Sequence, residues 1–200
     1  MRQTRLWLLR HAPVRLKYIY GQQDVDADLQ QPLAFDWLRQ RLPETPFVLS
    51  SDLSRCVKTV QQLGYDEFEV SSTVREQHFG NWQGLTYDQA RATNVSSYDA
   101  FWQSPATSRP PEGESFEDVY NRVQGFLEEE GARHKHEPDL LLSTHAGVIR
   151  AAIAYFLQIP LENALSIQIE PLSLTRITLY HSDNTTTAQV DWVNRAPPLI

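Results

Sequence analysis

A single cysteine, Cys56, stands among the 200 residues. No internal disulfide can form, which fits a reducing compartment. Long apolar runs are missing too. The four apolar residues Leu6–Leu9 near the N-terminus are too few for a signal-peptide core. The run around Ile149–Leu157 is too short to cross a bilayer and reads as a buried helix. A cytoplasmic location and no membrane partner are therefore expected. Basic charge is scarce: 18 Lys and Arg against 25 Asp and Glu give a net charge of −7, which argues against a nucleic-acid partner or an anionic-membrane surface. Repeats and low-complexity tracts are absent. His134-Lys135-His136 ends an acidic helix without carboxylate or Cys partners at ligand spacing, so neither a metal nor a cofactor is expected. What is there is ordinary: 41% hydrophobic and 22% charged residues suit a globular chain that buries a full core unaided.

Four apolar segments read as strands buried on both faces: Leu6–Leu9 (within Arg5–Arg10), Phe47–Ser50, Leu140–Ser143 and Leu174–Tyr180. Phe68–Val70 and Ala188–Val193 are weaker candidates. Apolar residues at helical spacing lie between them, at Leu53, Cys56, Val57, Val60 and Leu63, at Phe116, Val119, Val123, Phe126 and Leu127, and at Val148, Ala151, Ala152, Tyr155 and Phe156. Ser115 and Asp118 are placed to cap the second of these helices. The alternation predicts an α/β fold, three layers deep, with a mostly parallel central sheet. The stretch 71–113, rich in Gln, Ser, Trp and Pro, fits the alternation poorly and is expected to form a small inserted lid. Its aromatics are read first as packing, Cys56 as core, and Glu128–Glu130 as a solvated face.

Three turns carry the chemistry. Arg10-His11 closes the first strand, Ser50-Ser51-Asp52-Leu53-Ser54-Arg55 links the second strand to its helix, and Thr144-His145-Ala146-Gly147 links a later strand to its helix. Ligands in open α/β sheets bind beyond the carboxyl ends of the strands, so Arg10, His11, Arg55 and His145 are expected to converge there. Two guanidiniums and two imidazoles suit a dianionic phosphate, with helix N-termini adding N–H donors. A neutral imidazole can attack phosphorus to give a phosphohistidine, while arginines stabilise the charge on the equatorial oxygens. The leaving alkoxide then needs a proton, and Glu76 in the lid is the candidate acid.

The segments Leu8-Leu9-Arg10-His11-Ala12, Ser50–Arg55, Arg75–Gly84, Glu112-Gly113-Glu114-Ser115 and Ser143–Arg150 together resemble the signature stretches of the histidine phosphatase superfamily, which includes the cofactor-dependent phosphoglycerate mutases. They fall in family order and span Leu6 to about Ala152. The resemblance implies a single domain over 1–200 with the lid at about 71–113. It implies that His11 becomes phosphorylated, that Arg10 and Arg55 hold the phosphate, and that His145 binds it and stabilises the transition state. Glu76 would give a proton and later activate water. The sequence departs from the pattern at Lys17, where members often carry an Asn on the phosphate; a lysine there supplies a point charge or points away. Gln22 and Gln23 sit in a Gly-x-x-Asp loop and are candidate substrate contacts. His78 is either a phosphate contact or a surface residue.

The stretch after Glu76 has the form seen in the phosphatases, and the lid offers only Arg91 and Arg109 as further cations, so transfer to water is favoured. Among compact members the chain is similar to the alpha-ribazole 5′-phosphate phosphatases of cobalamin biosynthesis. Trp82, Tyr87, Tyr98, Phe101 and Trp102 would then offer stacking surfaces to an aromatic base. The alternatives are a phosphoglycerate mutase or sugar bisphosphatase, a broad-specificity small-molecule phosphatase, and a phosphate-binding regulator without turnover. The expected partner is a small-molecule phosphomonoester. Oligomeric state stays open between a monomer and a homodimer, and the tail Ala196–Ile200 either packs on a partner or lies loose.

Overall fold

The strands that read as apolar on both faces do lie inside a sheet. The computed structural model describes residues 2–182 and 185–197, so the tail residues Pro198, Leu199 and Ile200 lie outside the described residues. The strands are β1 (Arg2–Arg10), β2 (Phe47–Ser51), β3 (Glu69–Ser71), β4 (Asp139–Thr144), β5 (Leu174–His181) and β6 (Thr186–Arg195). They form one sheet in the order β3-β2-β4-β1-β5-β6. β3, β2, β4 and β1 run parallel, while β5 and β6 add antiparallel at one edge.

Successive side chains of a strand point to opposite faces, and this alternation sorts the core into two halves. Leu6, Leu8, Leu140 and Leu142 face α5 (Phe116–Arg133) and α6 (Ala146–Leu157). Trp7, Leu9, Val48 and Leu141 face α1 (Pro32–Arg39) and α2 (Ser54–Leu63). Helices cover both faces, giving three layers. The expected cap on α5 forms as a reciprocal capping box between Ser115 and Asp118. α1 was not among the expected helices. At eight residues it shows barely two turns of periodicity, although Pro32 in its first turn is a helix-start signal.

The segment between β3 and α5 contributes no strand among the described residues. It holds two 3-10 turns, α3 (Tyr87–Thr93) and α4 (Val95–Gln103). This segment, the expected lid, has its own small core with Ile19, formed by Trp82, Ala90 and Phe101. The Trp82 ring sits 5.2 Å from both Tyr98 and Phe101. A short α7 (Leu161–Leu165) leads back to β5. No described helix is long and apolar enough to cross a membrane.

Candidate active site

Strand register builds the site. Arg10 of β1 pairs with Thr144 of β4, and Ser50 of β2 pairs with Ser143 of β4. The three strands are parallel, so the residues that follow them emerge at one edge. His11 and His145 therefore leave neighbouring strands side by side, with ring centroids 5.1 Å apart. Both are buried, and Arg55 in the first turn of α2 is buried with them.

The ring of His11 has one defined orientation. Its Nδ1 lies 2.7 Å from the carbonyl oxygen of Ala12. A carbonyl only accepts, so Nδ1 carries the hydrogen and Nε2 the lone pair. Burial, then the guanidiniums of Arg55 and Arg10, hold the His11 pKa well below the ordinary histidine value. Burial is also the leading cause for His145, followed by His11 and Arg55, and its pKa is likewise pushed well down. Two neutral imidazoles thus sit among cations. His145 Nε2 lies 2.9 Å from Ser51 Oγ and 3.4 Å from Cys56 Sγ. Burial raises the Cys56 thiol far above its usual range, which keeps it an uncharged core group.

The arginines are tied at one side only. Arg55 donates to the carbonyls of Gly21 (2.6 Å) and Gln23 (2.9 Å), and Arg10 donates to the carbonyl of Ile169 (2.5 Å). The Nε atoms of both are buried without a partner, which suits an incoming oxyanion. Gly21 has to be glycine: its φ is +44°, and a Cβ there would stand 2.4 Å from Gln83 Oε1.

Glu76 reaches the same edge from the lid. Its carboxylate accepts from the backbone N–H of Gly147 (3.2 Å), in the first turn of α6. Arg122 holds its backbone from behind, donating to the carbonyls of Glu76 (3.1 Å) and Thr73 (2.6 Å) and pairing with Glu114. Gln22 also donates to the Glu76 carbonyl, at 3.0 Å. Arg75 adds a two-point pair with Asp52, at 2.8 and 2.6 Å, which ties the residue beside Glu76 to the β2–α2 turn.

The structure thus brings Arg10, His11, Arg55, Glu76 and His145 to one edge. Lys17 is exposed and makes no hydrogen bond among the described residues. Gln22 and Gln23 border the site. The Gln22 side chain braces Glu76 and Glu114, and Gln23 presents its carbonyl to Arg55. His78 is a lid brace, its Nδ1 accepting from Gly80 N. Arg122, Arg150 and Ser51 were missed. Ser51 and Arg150 stand inside the motif stretches, but residue type alone gave them no role.

A cavity of about 200 Å³ opens beside Glu76. Tyr18, Tyr20, Phe79, Tyr87 and Arg150 line it. Of the five aromatics expected to offer stacking surfaces, Tyr87 alone is among its walls. Trp82 and Phe101 are buried in the lid core, with Tyr98 packed against them. Trp102 packs on Tyr87, Tyr98 and Phe101.

The model for the histidine phosphatase superfamily (branch 1) matches residues 6–191. The chain belongs to the histidine phosphatase superfamily. It is 33% identical over 180 residues to glucosyl-3-phosphoglycerate phosphatase of Mycobacterium tuberculosis, covering 82% of this chain and 79% of the relative. It is 32% identical over 162 residues to a metal-independent phosphoserine phosphatase of Arabidopsis thaliana, covering 74% and 66%. The native structure of the mycobacterial glucosyl-3-phosphoglycerate phosphatase superposes with a TM-score of 0.81 at 28% identity, over 98% of this chain and 100% of that one. The alpha-ribazole phosphatase of Shigella flexneri shares the fold, with a TM-score of 0.82 at 21% identity over 98% and 99%. The chain is a phosphatase of this superfamily.

Proposed function

We propose that this phosphatase is a metal-independent phosphomonoesterase that works through a phosphohistidine on His11. The carrying observation is the His11 ring: Nδ1 is committed to the Ala12 carbonyl, which leaves Nε2 as the nucleophile in a buried, cationic pocket. Nε2 attacks phosphorus as the ester P–O bond breaks. Arg10, Arg55 and His145 stabilise the charge on the equatorial oxygens, and protonated Glu76 gives its proton to the leaving oxygen. In the second half, the Glu76 carboxylate takes a proton from water. The water oxygen bonds to phosphorus, the N–P bond breaks, and phosphate leaves. Hydrolysis, the reaction in the names of the phosphatase relatives, is favoured over transfer, and the lid cations are already paired, Arg91 with Asp99 and Arg109 with Asp118. They do not offer a second anion site.

Alpha-ribazole 5′-phosphate, with a place in cobalamin synthesis in the cytoplasm, is one substrate reading. Its support is now the cavity wall of Tyr18, Tyr20, Phe79 and Tyr87, not the lid core. Glucosyl-3-phosphoglycerate is the second, favoured by Arg150 in the same wall. The test is turnover of both esters and of p-nitrophenyl phosphate with EDTA throughout, followed by mass spectrometry after an alkaline denaturing quench, because the N–P bond of a phosphohistidine is labile in acid. A phosphoryl adduct on His11 and its loss in folded His11→Ala are expected. Full turnover by His11→Ala, or activity abolished by EDTA, would overturn the chemistry.

A further inference from the structure

Arg150 is a cation that the proposed chemistry does not use. It lies in α6 three residues after Gly147, and residues three apart share one face of a helix about one turn apart. Gly147 N contacts the Glu76 carboxylate, so Arg150 stands one turn further along the face that meets Glu76. It lines the cavity together with Tyr20, Tyr87 and Leu165. Its Nε donates to the Ile167 carbonyl at 2.8 Å, which fixes the plane of the guanidinium. Its two terminal nitrogens make no hydrogen bond among the described residues. Burial and then Arg10 work against its charge, while the Glu76 carboxylate, which lines the same cavity, supports it.

We propose that Arg150 is a specificity-determining residue that binds a carboxylate on the leaving group, close to the ester oxygen. This deepens the phosphomonoesterase reading and rests on it. Glu76 serves the ester oxygen in that reading, so the cavity beside it takes the atoms attached to that oxygen. A guanidinium tied through Nε presents its Nη pair to a planar two-oxygen acceptor. A carboxylate matches that pair and brings one negative charge. A second phosphate would bring about two, more than the one guanidinium neutralises. The aromatic walls accept the carbon skeleton.

The experiment uses matched esters on the full chain: 3-phosphoglycerate against glycerol 3-phosphate, and O-phosphoserine against O-phosphoethanolamine. Each is measured as a substrate and as a competitive inhibitor of p-nitrophenyl phosphate turnover. The wild type should prefer the carboxylate member of each pair by about 10- to 100-fold, mainly through KM or Ki. Arg150→Gln should bring that ratio close to one, and Arg150→Lys should retain part of it. No preference in the wild type overturns the proposal, as does an Arg150→Gln variant that slows both members equally and keeps their ratio. Failure of the underlying reading looks different: no phosphoryl adduct on His11 with any ester.

Discussion

Glu76 is held from two directions, at its carboxylate by Gly147 N–H and at its backbone by Arg122 and Gln22. The approach to α6 is so close that a Cβ on Gly147 would stand 2.3 Å from Glu76 Oε1. Gly147→Ala should therefore displace the carboxylate and lower kcat about 100-fold. The fold should not suffer, since Ala in a helix is more favourable than Gly by roughly 1 kcal/mol. Steady-state kinetics beside a thermal melt will show whether loss of rate comes without loss of Tm. The two imidazoles set the pH behaviour. His11 and His145 have folded pKa values below their unfolded value of about 6.5, because burial and the arginines disfavour the charged ring. Between those values the unfolded chain binds more protons, so their contribution to stability is fully present above pH ~6.5 and is lost as pH falls through that window. Urea melts from pH 8 to pH 5 should show this decline, with a shallower slope in His11→Gln. On its acid side, kcat/KM should hold to below the ordinary histidine range, since it reports the free enzyme.

α5 is the element that couples lid to sheet. Its start was legible in the sequence: Ser115 and Asp118 at capping spacing ahead of an apolar stripe need no tertiary knowledge, and the capping box forms. Ser115→Ala should cost about 1 kcal/mol in a denaturant melt. The outward role of the helix was not legible. Arg122 is one charged residue on an amphipathic helix, and such residues usually face solvent. Only the fold places it against Thr73, Glu76 and Glu114. Arg122→Ala should lower stability by about 1.5–3 kcal/mol, the range for hydrogen bonds to charged groups. It should also lower kcat, because the Glu76 backbone loses its brace; paired melts and kinetics check both. α1 and the lid helices were missed for a common reason. They are short, and their apolar residues answer to local packing more than to a long helical period.

At the scale of the molecule, a mostly parallel sheet with helices on both faces collects separate chain segments at one edge. Inorganic phosphate that binds only the folded state should raise Tm, by an amount worth roughly 2.7 kcal/mol at a hundred times Kd. Arg55→Lys should lose most of that rise in a thermal-shift titration, because a lysine cannot keep the fork to Gly21 and Gln23 while pointing at an anion. The sequence by itself determined the strands, the layer order and the polar quartet of Arg10, His11, Arg55 and His145. Alternation, helical spacing and position at strand ends are local properties. The tertiary structure alone decided that Lys17 stays in solvent, that Trp82 and Phe101 serve the lid core, and that Arg122 and Arg150 turn inward. Whether a lone charged or aromatic side chain meets solvent, core or substrate depends on which distant segment packs against it, and no local pattern encodes that.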